Sequence, residues 1–531
     1  MSKVMFSQYF HKPRAFRLKV FLEGILVGLL AGLAVIAYRL VIHAATPLRT
    51  SIYGRITAGD WRTGLYYLAA LLAAGYITGM LVEKNPMIKG SGIPQVKGTL
   101  VRQFEMKWYK ELPAKFVGGV LALGFGLSLG REGPSIQIGA EVGSGLSKSL
   151  KLHQTEEKYM ITSGASAGLA AAFNAPFAGV IFALEELHRN FSPFVLACVM
   201  SASLAADFVS KQVFGLGPAF VFQEVQPLPL AHYPYLIGLG ILAGLMGIVF
   251  NRALFTSQDI YGKLKSQKAR YTMLIPFIGA GLMGLVLPEM LGGGHELIEM
   301  LSHVDLPLYL LLLYIVVKIA FTAFCYGPGT PGGIFLPLLV VGALVGKLYG
   351  ELLSQYLNLE SIYVINFLIL GMAAYFTAIV RAPITGAILI LEMTNSFQHL
   401  LALMTVSLIA YVLTDLLASK PIYEALLERM LSGRQRETLY GNSHQKVIME
   451  IPVAMNAPLE YREIREIQWP KNCLLVAIRR GEAEVIPRGD TKIYPGDLLM
   501  VLCDAEKEAD IKPALIRLGE EMEEGFAGNP T

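Results

Sequence analysis

Gly130-Arg131-Glu132-Gly133-Pro134 sets a charged pair between two apolar stretches, Leu121 to Leu129 and the run that opens at Ser135. A carboxylate at hydrocarbon depth costs several kcal/mol unless it pairs, lines a wet cavity or carries a proton, so Glu132 is the first functional candidate. Its neighbour Arg131 is a poor partner on spacing, because adjacent residues on a helix rarely face each other. Two further stretches join small residues to a helix start: Gly90-Ser91-Gly92-Ile93-Pro94, and Gly332-Gly333-Ile334-Phe335-Leu336-Pro337. A helix N-terminus offers unpaired N–H groups and about half a positive charge, enough to hold a small anion without a cationic side chain. A packed Gly-rich turn between helices is the competing reading for each motif alone. Glu132 in such a setting is a candidate gate: ionised it occupies an anion's place, protonated it vacates it.

Glu185 and Glu186 close the apolar stretch Gly179–Leu184 and precede His188-Arg189. They read either as solvated charges at a helix end or as relay carboxylates for protons moving toward Glu132. Glu185 and His188 form a single Glu-x-x-His, which lacks the second copy a di-metal bundle site needs, so no metal is expected. Cys198, Cys325, Cys473 and Cys503 are scattered, without metal or redox-motif spacing, and read as reduced thiols.

The elements that position these residues are membrane helices. The chain has 531 residues, is 54% hydrophobic and 16% charged, and has a mean hydropathy of +0.50, which argues for a polytopic membrane protein and against a large soluble enzyme. A net charge of +4 without a basic block gives no reason to expect nucleic acid. Lys3, Lys12, Arg14, Arg17 and Lys19 precede the first apolar run and predict a cytoplasmic N-terminus. Apolar segments of near-spanning length recur at about 20–45, 63–82, 112–129, 160–186, 193–214, 233–254, 272–291, 307–326, 335–355, 363–379, 383–394 and 398–418. Pro94, Pro134, Pro176, Pro337 and Pro383 each sit near the start of such a run, where proline initiates a helix. Helices that begin inside the membrane predict broken, re-entrant segments around a transport site.

The two halves repeat each other. Leu30-Ala31-Gly32-Leu33 recurs as Leu242-Ala243-Gly244-Leu245, Pro134, Gly139 and Gly143 match Pro337, Gly342 and Gly346, and Ala175-Pro176, Gly179 and Glu185 match Ala382-Pro383, Gly386 and Glu392. The expected architecture is an all-α polytopic membrane domain over 1–430, built of two inverted repeats at about 20–215 and 233–420. Alternating segments at Val447–Val453, Cys473–Ile478, Glu482–Pro487 and Asp497–Leu502, then a helical pattern near Lys507–Glu521, predict a small α+β cytoplasmic domain over 431–531.

Gly-Ser-Gly-Ile-Pro at 90–94, Gly-Arg-Glu-Gly-Pro at 130–134, Gly-Ile-Phe-Leu-Pro at 333–337 and the lone Tyr423 resemble, in order and spacing, the CLC family of chloride channels and proton/chloride antiporters. The resemblance covers about residues 15–430. It implies a cell-membrane homodimer whose subunits each carry an anion pathway, with chloride and protons as substrates and no cofactor. It implies hydroxyls from Ser91 and Tyr423 at the central chloride, backbone from Gly92, Gly133, Ile334 and Phe335 around it, Glu132 as gating glutamate, and Glu186 as the internal proton-transfer residue with Glu185 beside it. Lys115, in Leu-Pro-x-Lys-Phe, adds positive potential. The internal acid favours exchange, with a passive voltage- or pH-gated chloride channel as the alternative. Gln95 stands where many relatives have glutamate. Leu474 to Gly481, Ile486 to Thr491 and Pro495-Gly496-Asp497 are similar to TrkA-C domains, which implies a dimeric regulatory module with a small-molecule or nucleotide effector. A potassium-transport role, suggested by this tail alone, lacks a Thr-Val-Gly-Tyr-Gly-like filter.

Overall fold

Proline and glycine set where the helices start and stop. The computed structural model describes residues 13–189, 192–222, 225–264, 268–438, 446–480, 483–504 and 508–519, which fall into two compact units, Met1–Met430 and Leu431–Thr531. The basic residues Lys3 and Lys12 lie outside the described residues. In the first half the helices are α1 (Pro13–Thr57), α2 (Trp61–Lys84), α3 (Ile93–Leu100), α4 (Trp108–Gly124), α5 (Glu132–Ser149), α6 (Gln154–Phe173), α7 (Pro176–Phe182) and α8 (Pro193–Phe214). The second half follows with α9 (Pro234–Lys263), α10 (Ala269–Thr272), α11 (Leu274–Val286), α12 (His295–His303), α13 (Leu308–Tyr326), α14 (Phe335–Leu357), α15 (Val364–Val380), α16 (Pro383–Thr394), α17 (Leu400–Leu416) and α18 (Ile422–Thr438). Among the described residues, nine helices are long and apolar enough to cross a bilayer. The chain is a multi-pass membrane protein.

The apolar stretch 160–186, continuous in composition, is broken in space. Helix α6 ends at Asn174 in the left-handed conformation (φ 56°), Ala175 is extended ahead of proline, and Pro176 starts α7. The residue before proline is driven out of helical geometry by the ring, and the ring then fits the first position of the new helix. Arg381, Ala382 and Pro383 repeat this break between α15 and α16, with φ 69° at Arg381. Pro94, Pro134 and Pro337 likewise lie in the first turns of α3, α5 and α14.

The halves are inverted, and two contacts demonstrate it. Gly130 and Gly333, which occupy equivalent positions, pair as an antiparallel bridge through Gly130 N–H to Gly333 O (2.6 Å) and Gly333 N–H to Gly130 O (2.7 Å). Helices α7 and α16, also equivalent, run in opposite directions, because Glu185 beyond the end of α7 caps the start of α16 while Glu392 near the end of α16 caps the start of α7. Equivalent elements that run antiparallel are related by a two-fold axis in the membrane plane.

A fourth repeated block escaped the sequence reading. Gly292-Gly293-Gly294 precedes α12 as Gly90-Ser91-Gly92 precedes α3, and Gly92 and Gly294 share a backbone (φ 95° and 90°) that only glycine adopts without strain. The side chains differ too much for a text match, and the likeness lies in the backbone.

The second unit is an antiparallel sheet in the order β1-β4-β2-β3, from β1 (Lys446–Pro452), β2 (Cys473–Arg480), β3 (Ala483–Val485) and β4 (Leu498–Asp504), with α19 (Glu508–Gly519). Ile511 and Leu515 of α19 pack with Met449, Val501 and Ile478 into a core of its own. Arg480 reaches Asp497 through two 2.8 Å bonds, joining two of the motif segments that mark this domain in the sequence.

Candidate functional site

Three helices begin at the junction of the halves: α3 after the Ser91 loop, α5 at Glu132 and α14 at Phe335. Each brings unpaired N–H groups to one place in a low-dielectric interior, where partial positive charge attracts an anion most strongly. The loops are tied across the repeat boundary. Gly90 N–H donates to Gly329 O (3.1 Å) and Gly332 N–H to Gly90 O (3.0 Å), beside the Gly130–Gly333 bridge. Gly133 lies so close to Ser91 that a Cβ there would stand 2.6 Å from the Ser91 Oγ and 2.8 Å from its carbonyl oxygen. Ser91, Gly92, Gly133 and the Ile334–Phe335 backbone therefore converge on one region, as the motifs imply.

Glu132 is the first residue of α5 and fully buried. No hydrogen bond of ordinary geometry completes either carboxylate oxygen, although the Leu336 amide of α14 faces the carboxylate. Its side chain thus stands over the start of α14. The expectation that Arg131 is too badly placed to partner it needs correction: Arg131 Nε lies 3.8 Å from Glu132 Oε1. Arg131 already holds helical backbone angles (φ −79°, ψ −17°) just ahead of α5, and its long, partly exposed side chain reaches back to the carboxylate of its neighbour. The distance is an ion pair's, not a hydrogen bond's.

The Tyr423 hydroxyl, on α18, is buried and has no partner among the described residues. Tyr326, Glu186 and Glu132 lie within its electrostatic reach. The Ser91 hydroxyl accepts a long contact from Ile93 N–H (3.5 Å), and Tyr326 steadies the loop by accepting from Ser91 N–H (3.4 Å). The Phe335 ring is enclosed by Phe173, Phe182 and Phe376 at 5.5, 6.2 and 4.7 Å, an apolar wall around the start of α14. Unpaired polar atoms beside helix N-termini and an aromatic wall make a site suited to a small, weakly hydrated anion.

Lys115 is buried and donates to Ile88 O (3.0 Å) and Gly90 O (2.7 Å), the carbonyls behind the Ser91 loop. It braces that loop. Lys318 in the second half makes the equivalent bonds to Met290 O (3.0 Å) and Gly292 O (3.1 Å), so the brace belongs to the repeat.

Glu185 and Glu186, adjacent in sequence, have different environments. Glu185 accepts from Ile384 N–H (3.2 Å), Thr385 N–H (2.7 Å) and the Thr385 hydroxyl (2.6 Å), and Glu392 mirrors it on Phe177 N–H (3.1 Å) and Ala178 N–H (2.7 Å). Both carboxylates are helix caps at opposite ends of the α7/α16 pair. Replacing Glu392 or Glu185 with Ala is expected to cost about 0.5–2 kcal/mol, as loss of an N-terminal cap does. Thermal unfolding in detergent measures it, and an unchanged midpoint in both variants removes the capping role.

Glu186 sits in the π-helical turn Ala183–His188 that follows α7, a distortion that turns its side chain inward. Its carboxylate is 2.7 Å from Lys97 Nζ on α3, with side-chain exposures of 3% and 8%, so water screens the pair little. The sequence reading missed Lys97. Its signal was present: a lysine in a short apolar helix and an acid in another apolar stretch each need a partner, and only the fold shows that they share one.

The class defined by this geometry is a membrane protein of two inverted repeats whose broken helices meet around a buried carboxylate. Residues 70–415 match the family described as voltage gated chloride channel, and residues 448–515 match the TrkA-C domain. The chain belongs to that chloride-channel family, the CLC proteins. It is 34% identical over 451 residues, 82% of its length, to the H(+)/Cl(-) exchange transporter ClcA of Vibrio cholerae, covering 94% of that protein. It is 33% identical over 437 residues to the ClcA of Salmonella paratyphi B, covering 80% of this chain and 92% of that one. Its fold matches the crystal structure of a slow cyanobacterial Cl-/H+ antiporter with a TM-score of 0.75 and 30% identity, over 78% of this chain and 99% of the other. A eukaryotic CLC transporter shares the fold with a TM-score of 0.66 at 21% identity, over 85% of this chain and 79% of the other.

Proposed function

We propose that the protein exchanges chloride for protons across the membrane, with Glu132 as the element both ions use. The observation that carries this reading is the Glu132 carboxylate itself, buried and without a completing hydrogen bond, over the start of α14 and beside the Ser91 loop. Chloride and an ionised Glu132 compete for the same N–H groups. A proton on Glu132 removes its charge and releases the place to chloride. Ser91, Tyr423 and the backbone of Gly92, Gly133, Ile334 and Phe335 form the anion's surroundings, and Lys115 holds the loop. Glu186 passes protons toward Glu132 by way of the region around Tyr423, while Glu185 is assigned to capping. The curated relatives with whole-length similarity carry the name of H(+)/Cl(-) exchangers, which supports the same reading.

Both termini are assigned to the cytoplasm. The assembly is a homodimer, each subunit with its own pathway, and the outward apolar residues Phe208 of α8 and Leu401 of α17 meet lipid or the partner copy. The C-terminal unit is a regulatory module.

A passive chloride channel is the second reading, and one observation favours it: Glu186 is held by Lys97 in a buried ion pair, which opposes its taking up a proton. Purified protein in liposomes separates the two. An imposed chloride gradient drives protons uphill in an exchanger, and its failure to do so while chloride flows establishes a channel.

Gly133→Ala places a methyl group against Ser91, where the nearest atoms are a hydroxyl and a backbone oxygen that has little room to move. Overpacking of this kind strains a packed core by about 1–3 kcal/mol, and we expect chloride binding to weaken as the Ser91 loop shifts. Calorimetric titration with chloride reads this, at about tenfold in affinity per 1.4 kcal/mol. Unchanged affinity places the anion elsewhere.

A further inference from the structure

We propose that Cys473 and Cys503 are a reversible redox site of the C-terminal domain, closing to a cross-strand disulfide under oxidation. In the sequence they stand 503 − 473 = 30 residues apart and read as unrelated thiols. The sheet sets them face to face: Cys473 pairs with Cys503, Leu474 with Leu502 and Leu475 with Val501 along antiparallel β2 and β4. Residues directly opposite in an antiparallel ladder point to the same face, with Cα atoms about 4.5 or about 5.5 Å apart according to the type of pair. A disulfide accepts Cα separations of about 4.4–6.8 Å but needs Cβ atoms about 3.5–4.5 Å apart, so the closer type of pair closes with the strands in place and the wider type needs a small local shift. The register slips only beyond this end, between Leu475 and Ala477.

Burial agrees with the register. Cys503 is buried in the cluster that contains Val501, Ile511 and Leu515, and Cys473 packs half-buried against that cluster. The two thiols lie within electrostatic reach of each other. Their unequal exposure gives them different roles. Cys473 begins β2, donates its thiol hydrogen to Pro470 O (3.1 Å) and is the sulfur an oxidant meets first, whereas Cys503 waits behind it.

The oxidant class is a low-molecular-weight disulfide. The Cys473 thiolate attacks one of its sulfurs, forming a mixed disulfide and expelling one thiolate. The Cys503 thiolate then attacks the Cys473 sulfur, forming the cross-strand bond and expelling the second thiolate. The protein loses two protons and two electrons, the oxidant gains them as two thiols, and a dithiol reductant reverses both exchanges. Burial, with the neighbouring Cys503, pushes the Cys473 thiol up from its ordinary range, so little thiolate exists near neutrality and the site answers to sustained oxidation.

The test uses the full-length protein in detergent, treated with oxidised glutathione and digested with trypsin without reduction. Cleavage sites at Arg479, Arg480, Arg488 and Lys492 separate the two cysteines, so a disulfide alone joins their peptides. We expect a linked pair two hydrogens lighter than the sum of its peptides, lost on adding dithiothreitol and absent in Cys473→Ser. Its rate of formation is expected to climb between about pH 7 and pH 9 as thiolate appears. Cys473 carrying a stable glutathione adduct, both cysteines remaining open to alkylation, or a Cys473–Cys473 link between copies would each overturn the proposal. An unchanged unfolding midpoint in reduced Cys473→Ser shows that the missing link is not a folding defect.

Discussion

Glu132→Gln is expected to leave chloride flux in place and to remove the proton movement coupled to it. The substitution keeps the size and shape of the side chain but fixes it in a neutral form, equivalent to a gate that is always protonated. The amide cannot compete as an anion for the N–H groups at the starts of α5 and α14, so the chloride route stays available. Nor can it take up and release a proton, so a gradient of one ion no longer moves the other. A group that transfers protons directly contributes about two to four orders of magnitude to their movement, and we expect a fall in proton flux of about a hundredfold or more. Protein stability is expected to fall modestly, since the carboxylate has no hydrogen bond of ordinary geometry to lose but its ion pair with Arg131 goes. Paired chloride and pH recordings on the same liposomes check this. Retained coupling would remove Glu132 from the mechanism, and loss of chloride flux with proton flux would make it a residue of the fold.

The second large effect is expected at Lys97. Glu186 and Lys97 are both buried, and removing one member of such a pair strands the other as an uncompensated charge, at about 3–5 kcal/mol. Lys97→Met should therefore lower the unfolding midpoint sharply or drive Glu186 to hold a proton. Lys97→Met with Glu186→Gln replaces both charges, and most of the lost stability should return. Proton movement separates the roles: the double variant should stay impaired in proton flux while its chloride flux recovers. Equal recovery of both fluxes would mean that Glu186 serves only to neutralise Lys97. Rescue of stability without rescue of coupling is the result expected of a proton-transfer residue that is paired with a buried lysine.

The contrast between Glu185 and Glu186 marks the limit of sequence reading at this site. Both lie in one apolar-to-charged transition, and composition offers them the same two roles. Their directions are set by the π-helical turn after α7, which a pattern of hydrophobicity does not encode, and by the distant helices that each meets. Arg131 is a similar case: spacing argues against it as a partner, yet its long side chain reaches Glu132.

Much of the rest was legible because it follows from local physics. Apolar length marked the spans, and proline marked where helices restart, since its ring constrains the residue before it wherever it stands. The three motifs around Ser91, Glu132 and Phe335 marked helix starts that the fold brings together, and the matched Glu185 and Glu392 pointed to duplication. The sequence alone thus determined the class of the protein, its two-part construction and the identity of its acid groups. What the tertiary structure decided was partnership: Gly130 with Gly333, Glu185 with α16, Glu186 with Lys97, Lys115 with the carbonyls behind Ser91, and Cys473 with Cys503. Such pairs join residues between 25 and 203 positions apart. Local propensity carries no term for that separation, and only the closed packing of inverted halves and paired strands fixes which groups meet.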